Sequence, residues 1–267
     1  MQSEGPLKSE WLSEIWRFRE LLYFLAWRDV KVRYKQAALG VAWAILQPLL
    51  TMIIFTVFFG RLAGVSGNGI PYPLAAFCAL VPWTYFAATL SQAGNSLLAN
   101  TNLITKVYFP RVLLPASVAL GGLLDFLISA SFLGGMMVYY RVRPSWALLL
   151  YPLFVLATMI LVVGVSMLLA ALNVRFRDVK YAIPFLIQIW FFVTPIIYPA
   201  SFIPKRLQPI LAFNPMSGIV EGFRASLFPG QGFNMPLIAT SLGITAALFV
   251  TGAIVFRNTE RTFADII

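Results

Sequence analysis

The sequence has 267 residues, of which 60% are hydrophobic and only 11% are charged. Soluble domains are about half apolar and about a quarter charged, so this composition excludes a soluble globular fold and indicates an integral membrane protein. The net charge is +10, and the absence of histidine together with a single cysteine, Cys78, excludes zinc sites, Cys/His nucleophile pairs and disulfides within one chain.

Residues 1–36 are predicted to form an amphipathic helix that lies in the membrane surface. At about 100° per residue, one direction collects aromatic and aliphatic side chains while the other side is charged, which is typical of interfacial helices. Asp29 and Arg33 interrupt the apolar face, but they are four residues apart and can pair with each other. The helix either only anchors the chain or also docks a cytoplasmic partner. The apolar face comprises Trp11, Ile15, Phe18, Leu22 and Leu25.

Six apolar runs follow, each long enough to cross a hydrocarbon core as a helix of about 20 residues. None alternates in polarity as barrel strands do, so we expect an all-α integral membrane fold with six transmembrane helices in a single domain, residues 1–267. Most of the 20 Lys and Arg residues precede the first run, lie between runs two and three or four and five, or follow the sixth. The positive-inside rule therefore places both termini in the cytoplasm, and the charge is a topology and lipid-headgroup signal rather than a nucleic-acid footprint. The predicted spans are 38–60, 73–95, 115–139, 147–172, 181–198 and 236–256.

Clustered aromatic residues occur in spans two and five. Aromatic faces offer sugars a flat apolar surface without demanding one hydrogen-bond pattern, which suits a polymer that must slide. The alternative is that Trp and Tyr anchor the helices at the membrane interfaces while Phe faces lipid. Trp83 and Tyr85 are two apart and point to different helix faces, so the rings cannot all line one pore. The candidate channel-lining residues are Trp83, Tyr85, Phe86, Trp190, Phe191, Phe192 and Tyr198.

Two short cytoplasmic loops carry charge. In the first, between spans two and three, an apolar trio is flanked by basic residues, and exposed apolar side chains beside charge predict a protein-docking surface. In the second, between spans four and five, anchoring by the positive-inside rule is a sufficient alternative explanation. The first loop contains Lys106, Val107, Tyr108, Phe109 and Arg111, and the second contains Arg175, Arg177, Asp178 and Lys180.

Asp125 is the one charged residue within the predicted spans. A charge at that depth costs several kcal/mol unless it is paired. Asp125 therefore either forms hydrogen bonds that pack the bundle or takes part in function. Proton-coupled carriers usually bury several ionisable groups, so a single candidate argues against a secondary transporter.

The segment 199–235 is too long and too apolar for an ordinary loop, and its prolines forbid a continuous spanning helix. Asn214 followed by Pro215 matches an N-cap with proline at the first helical position, and this helix should end after Leu227. Short re-entrant helices are expected here, because irregular backbone at membrane depth needs cover from protein or from a water-filled cavity. The segment would line the exit side. The residues predicted to pair three apart are Glu221 and Arg224.

The sequence lacks the glycine-rich motif that a phosphate-binding Walker loop requires. No G-x-x-x-x-G-K-[ST] motif occurs and no Gly is followed by Lys, so the chain cannot build a phosphate-cradling Walker loop. Any nucleotide energy must come from another polypeptide, and we expect no cofactor or metal bound by this chain.

Five segments together form a specific ordered signal: RDVKVRYKQAALGVAWAILQPLL, LVPWTYF, LITKVYFPRVLLP, NVRFRDVKYAIPFLIQIWFFVTPIIYP and FNPMSGIVEGFR. With these segments the chain resembles the permease subunits of ABC exporters of the ABC-2 type, specifically those that export O-antigen, capsular or teichoic-acid polymers. The resemblance covers nearly the whole chain.

The resemblance implies a homodimer of six-helix, non-enzymatic subunits in the bacterial inner membrane, which moves a lipid-linked glycan. It implies two copies of a separate nucleotide-binding ABC ATPase subunit that supply ATP and Mg²⁺ chemistry. The loop from Lys106 to Arg111 would contain the coupling helix that inserts into the ATPase, and the loop from Arg175 to Lys180 a secondary contact. The surface helix would form part of the cytoplasmic gate, through Arg28, Asp29, Arg33 and Tyr34.

Other functions stay open at this point. Within the same superfamily the alternative is a permease for a drug, haem or a small lipid. From other classes, a membrane enzyme acting on lipid-linked sugars would turn over its substrate alone, and a passive channel would conduct without any ATPase. Co-purification of a nucleotide-binding subunit separates the exporter from both.

Overall fold

The computed structural model describes residues 9–35, 40–65, 67, 69–176, 178–198, 204, 206, 208–260 and 263. These residues are helical apart from short connections and one isolated bridge between Gly67 and Ile70. Arg177, residues 1–8 and the side chain of Trp11, all named above, lie outside this description. The helices are α1 (Ser9–Arg17), α2 (Arg19–Lys35), α3 (Ala42–Phe55) with its π-helical continuation (Thr56–Leu62), α4 (Tyr72–Gly94), α5 (Ser96–Ala99), α6 (Thr101–Lys106), α7 (Leu113–Tyr139), α8 (Tyr151–Arg175) after a 3-10 turn (Trp146–Leu150), α9 (Val179–Val193), α10 (Gln208–Ala212), α11 (Pro215–Leu227) and α12 (Met235–Glu260).

Among the described residues, five helical segments are long and apolar enough to cross a membrane, and the chain is a multi-pass membrane protein. Each lies within a few residues of a predicted span, because long uninterrupted apolar runs fix helix length well. These segments are Ala42–Leu62, Tyr72–Gly94, Leu113–Tyr139, Trp146–Arg175 and Met235–Glu260.

The helix in the fifth predicted span, α9, is shorter than expected. It has 15 residues, which is about 22 Å at 1.5 Å per residue. The prediction ran to residue 198, but the helix ends at Val193 because Thr194 is extended, with φ −87° and ψ 136°. A residue that precedes proline avoids the helical region, and Pro195 follows Thr194. A buried turn, 194–197, continues the chain.

Where the structure describes the N-terminal segment, over residues 9–35, it forms two helices and not one, with the break at Phe18. Helix α2 lies along α7, where a Cβ on Gly121 would sit 3.4 Å from the carbonyl oxygen of Ala26. The described part of the predicted apolar face packs against the protein itself, since Leu25 is buried and Ile15, Phe18 and Leu22 pack against the same hydrophobic cluster. Four aromatic residues outside the predicted apolar face are exposed instead: Trp16, Tyr23, Phe24 and Trp27.

In the described part of the chain, two large hydrophobic clusters form the core. The larger surrounds α4 and draws on α7, α8 and α11, while the second joins α2 to the start of α7 and the ends of α8 and α12. Helices α8 and α12 touch through their backbones, because a Cβ on Gly252 would lie 2.2 Å from the carbonyl oxygen of Gly164. Small residues permit such close crossings between membrane helices.

Helix α11 begins and ends where the sequence predicted. The side chain of Asn214 caps it by accepting a hydrogen bond from the Met216 N–H at 3.0 Å, and the helix ends at Leu227. Every residue of α11 except Glu221 is buried. Its Gly218 N–H donates to Ser241 Oγ of α12 at 3.0 Å, so α11 is fixed directly to the last span.

Candidate functional site

Asp125, the charged residue of span three, pairs with the N-terminal helix α2. Its carboxylate accepts a hydrogen bond from the guanidinium of Arg33, which also donates to Gln92 Oε1 of α4 at 2.8 Å. About a quarter of each charged side chain remains exposed, 25% for Arg33 and 27% for Asp125. One guanidinium therefore neutralises the intramembrane charge and joins α2 to two spans. We call Arg33, Gln92 and Asp125 the Arg33 junction.

The expected pair between Asp29 and Arg33 is wrong. Asp29 Oδ1 instead accepts from Arg28 Nη2 at 2.8 Å, and its other oxygen lies 3.5 Å from Ser117 Oγ of α7. The physical reason is that Asp125 lies within a spanning helix, where an unpaired charge is costly, whereas Asp29 already has a cation beside it in Arg28. The gate residues predicted from the family resemblance are thus divided between an exposed pair and the Arg33 junction.

A cavity of about 220 Å³ opens beside the Arg33 junction, between α2, α3, α4 and α7. Tyr34, another predicted gate residue, lines it, and the Tyr34 hydroxyl is buried without a hydrogen-bond partner among the described residues. Trp43 and Gln47 of α3 also line the cavity. The space is therefore partly polar although it lies among spanning helices.

The chain between α6 and α7, which we call loop 107–112, exposes only part of its predicted apolar trio. Val107 and Tyr108 expose 51% and 82% of their surface, whereas Phe109 exposes 3%. The expectation that Phe109 is exposed is wrong, because its ring belongs to the second hydrophobic cluster with Phe256 and Phe263. Two side chains remain available to another protein at this loop, beside the exposed Lys106.

Loop 107–112 is held from both sides. The Tyr108 hydroxyl donates to Glu14 Oε1 of α1 at 3.1 Å, and this bond, together with the charge of Glu14, raises the pKa of Tyr108. On the other side the Arg111 N–H donates to Glu260 Oε1 of α12 at 2.7 Å. A groove of about 530 Å³ lies between these contacts. Its charged and polar lining includes Glu14, Lys106, Tyr108, Arg111, Arg257 and Glu260.

The turn between α8 and α9 is exposed and basic. Arg175 and Asp178 are exposed, and the Arg175 guanidinium carbon lies 5.4 Å from the ring centroid of Phe176. The Lys180 ammonium lies 4.7 Å from the Tyr181 ring. Both cations are thus held over aromatic rings, and the secondary contact with the ATPase at this turn stays a prediction.

Most of the predicted channel aromatics pack against one another inside the chain. Trp83 lies 5.5 Å from Phe86 and 5.4 Å from Phe191 between ring centroids, and Phe86 lies 5.0 Å from Trp190. Tyr85 points elsewhere, as expected from its spacing, and donates to the Ala119 carbonyl at 3.0 Å. Trp190, Phe191 and Tyr198 are partly exposed. Of the seven candidates only Phe192 exposes most of its surface, 61%.

A polar network fastens the end of α9 to α11. Asn214 Oδ1 accepts from Trp190 Nε1 at 2.7 Å, and its amide donates to Thr194 Oγ1 at 2.9 Å. The predicted pair of Arg224 and Glu221 is confirmed at 3.4 Å. Arg224 also donates to the Ile196 carbonyl at 2.9 Å, which satisfies the backbone of the buried turn after α9.

Several residues of these contacts escaped the sequence analysis. Gln92 and Glu260 are single polar residues near helix ends, and Glu14 lies within the short charged helix α1, so all three occupy positions where polar residues are ordinary. A usable signal existed for Arg33, since a lone aspartate in a span requires a nearby cation. The charge alone could not identify which of the basic residues supplies it.

Comparison with known proteins gives a consistent result. Residues 20–228 match the ABC-2 type transporter family. The chain is 29% identical to the O-antigen export system permease protein RfbA of Myxococcus xanthus, covering 94% of this chain and 97% of that protein. It is 30% identical to RfbA of Klebsiella pneumoniae over 93% of this chain and 95% of that protein. Similarity extends to the polysialic acid transport protein KpsM of Escherichia coli, at 23% identity over 88% of this chain and 91% of that protein.

Proposed function

This chain belongs to the ABC-2 type transporter family, as its five segments predicted, and we propose that it is the permease subunit of an ATP-driven exporter of a lipid-linked polysaccharide. The observation that carries the proposal is the nearly end-to-end match to permeases named for O-antigen export. The glycan would cross the bacterial inner membrane through this subunit. The chain itself would perform no catalysis.

The proposed topology has six crossings with both termini in the cytoplasm. Helix α9 would be the remaining crossing, in spite of its 15 residues, because the buried turn after it and α11 extend the protein at that end. The short helices α10 and α11 would enter the outer leaflet and return. The enclosure of α11, with Glu221 its one residue outside the buried set, supports this placement, since non-helical backbone beside it needs protein cover.

Energy would come from two copies of a separate ABC ATPase that bind ATP and Mg²⁺. We infer that loop 107–112 docks this partner through Val107 and Tyr108, because these apolar side chains are exposed beside Lys106. Glu14 supports the loop from the side through Tyr108. Arg175 and Asp178, with Arg177 between them in sequence, would form the secondary contact.

The glycan path would lie between two copies of the chain, along α9. Phe192 is exposed, and Trp190, Phe191 and Tyr198 are partly exposed, so these rings can present apolar faces to a passing sugar. Trp83 and Phe86, buried behind them, would hold that wall in place. The gate at the cytoplasmic side would be α2, with Arg28, Asp29 and Tyr34, held closed by the Arg33 junction.

The test measures which substrate stimulates ATP hydrolysis by the purified complex of permease and ATPase. Lipid-linked glycan should stimulate hydrolysis, whereas haem, hydrophobic drugs and the glycan-free lipid should not. Stimulation by the small molecules with none by the glycan would assign the chain to a different cargo. Turnover of lipid-linked glycan by the permease alone would make it an enzyme.

A further inference from the structure

The end of the last span and Phe263, which follows it, contact loop 107–112 at Arg111. The carboxylate of Glu260 accepts from the backbone N–H of Arg111 at 2.7 Å. The Arg111 guanidinium donates in turn to the Glu260 carbonyl oxygen, and its Cζ lies 5.9 Å from the ring centroid of Phe263. The loop backbone is therefore bound to the end of α12 by reciprocal hydrogen bonds, and it cannot move away without breaking bonds to a charged group.

The ring of Phe263 is part of the same attachment. Phe263 is fully buried, at 0% exposure, and packs edge-on against Phe256 of α12 at 5.3 Å between centroids. Phe109, the buried residue of the loop, belongs to the same hydrophobic cluster. Polar and apolar contacts thus act together where the loop meets α12.

Helix α12 is also fixed at its middle and at its other end. Its Gly252 meets the backbone of Gly164 in α8 so closely that a Cβ would lie 2.2 Å from a carbonyl oxygen. Near its beginning, Ser241 accepts from the Gly218 N–H of α11 at 3.0 Å. With 26 residues, α12 is about 39 Å long and connects loop 107–112 with α11 across the bundle.

We propose that Glu260 is the positioning residue that fixes loop 107–112 to α12, so that a displacement of the loop moves α12 as a rigid body and reaches α11. This inference rests on the proposed docking of the ATPase at the loop. Coupling between distant sites requires an element that both sites bias, and α12 is in direct contact with both. The carboxylate touches neither substrate nor nucleotide.

The experiment measures glycan exported per ATP hydrolysed in the reconstituted complex. Glu260→Ala removes the acceptor of the Arg111 N–H, and this ratio should fall about tenfold, in line with the loss of one hydrogen bond to a charged group. ATPase co-purification should stay unchanged because Val107 and Tyr108 remain exposed. Glu260→Gln retains a side-chain carbonyl acceptor and should restore most of the ratio. Asn258→Ala, an exposed change two residues away, is the matched control and should leave the ratio unchanged.

If Glu260→Ala fails to yield folded complex, Glu260→Asp provides the same test, because it is shorter by one methylene and cannot reach the N–H at its present distance. A normal export ratio in a folded Glu260→Ala or Glu260→Asp complex would overturn the proposal. Tyr108→Ala separates this failure from a failure of the proposed docking. If Tyr108→Ala loses the ATPase while Glu260→Ala keeps its export ratio, only the role of Glu260 is wrong; if Tyr108→Ala keeps the ATPase, the docking site is wrong.

Discussion

The carboxylate of Asp125 in α7 accepts a hydrogen bond from the guanidinium of Arg33 in α2, 92 residues earlier in the chain. This pair explains why a charge is tolerated in a spanning helix, since its partner comes from a helix that is not itself one of the long apolar spans. Because Arg33 also binds Gln92 of α4, any movement of α2 away from the bundle breaks several bonds to a charged group.

Within the Arg33 junction, the contributions of Arg33 and Asp125 to stability should depend on each other. Asp125→Ala or Arg33→Ala alone leaves an unpaired charge, and each should lower the stability of the purified protein by about 2 kcal/mol, less than for a fully buried pair because a quarter of each side chain is exposed. The double variant should lose clearly less than the sum. Thermal unfolding in detergent measures all three. Strictly additive losses would show that the two side chains do not interact.

Alanine substitutions of the neighbouring residues Tyr108 and Phe109 should affect different properties, partner binding in the first case and folding in the second. Tyr108→Ala should fold normally and recover less ATPase on co-purification, because an exposed side chain is removed. Phe109→Ala should reduce the amount of folded protein, since loss of a buried aromatic ring costs about 3 kcal/mol or more. The yield of folded protein on size exclusion reports the loss of folding, and the ratio of ATPase to permease in the purified complex reports the loss of partner binding.

The matched control for that comparison is Tyr139→Ala, which removes a tyrosine of similar exposure, 81%, at the end of α7. It should change neither the yield nor the subunit ratio. If Tyr139→Ala reduces ATPase recovery as much as Tyr108→Ala does, exposure of tyrosine rather than the position of the loop determines the result.

The crossing of α8 and α12 should not tolerate a single methyl group. Gly252→Ala would place a Cβ 2.2 Å from the carbonyl oxygen of Gly164, and overpacking against backbone costs about 1–3 kcal/mol. Gly243→Ala on the same helix has no atom within 4 Å of its new Cβ and should be neutral or slightly stabilising. Equal melting temperatures for the two variants would contradict the observed crossing.

Asn214 should contribute more to the stability of the protein than an ordinary helix cap does. Asn214→Ala removes the cap of α11 and the bonds to Trp190 and Thr194, and should cost about 2–3 kcal/mol. Asn234→Ala removes a single hydrogen bond, to the Leu237 N–H at 3.3 Å, and should cost about 1 kcal/mol. Thermal unfolding compares the two. Similar losses would mean that the contacts with α9 add nothing to stability.

Local patterns in the sequence predicted the features that depend on neighbouring residues. Long apolar runs located five spans, the dipeptide Asn214–Pro215 located the start of α11, and helical spacing located the pair of Glu221 and Arg224. The end of α9 was also encoded locally, because proline at 195 forces Thr194 out of the helix, but the apolar sequence continues past that point and concealed the stop.

Contacts across long sequence separations were not predictable in the same way. Phe109 is buried because it packs in one cluster with Phe256 and Phe263, which are more than 140 positions later in the sequence. The partner of Arg33 depends on how α2 lies along α7, whereas its spacing from Asp29 favoured a local pair that does not form. Of the candidate aromatics, the sequence separated Tyr85 from Trp83 but could not show that Trp83 and Phe86 are buried.

The most direct measurement of the central proposal is glycan movement into vesicles that contain the permease, the ATPase or both. With lipid-linked glycan and ATP outside inverted vesicles, we expect glycan to accumulate in the lumen only when both proteins are present, and to stop when ATP is omitted. Uphill accumulation by the permease alone, or none by a complex that hydrolyses ATP and retains its glycan substrate, would contradict a polysaccharide permease driven by a separate ATPase.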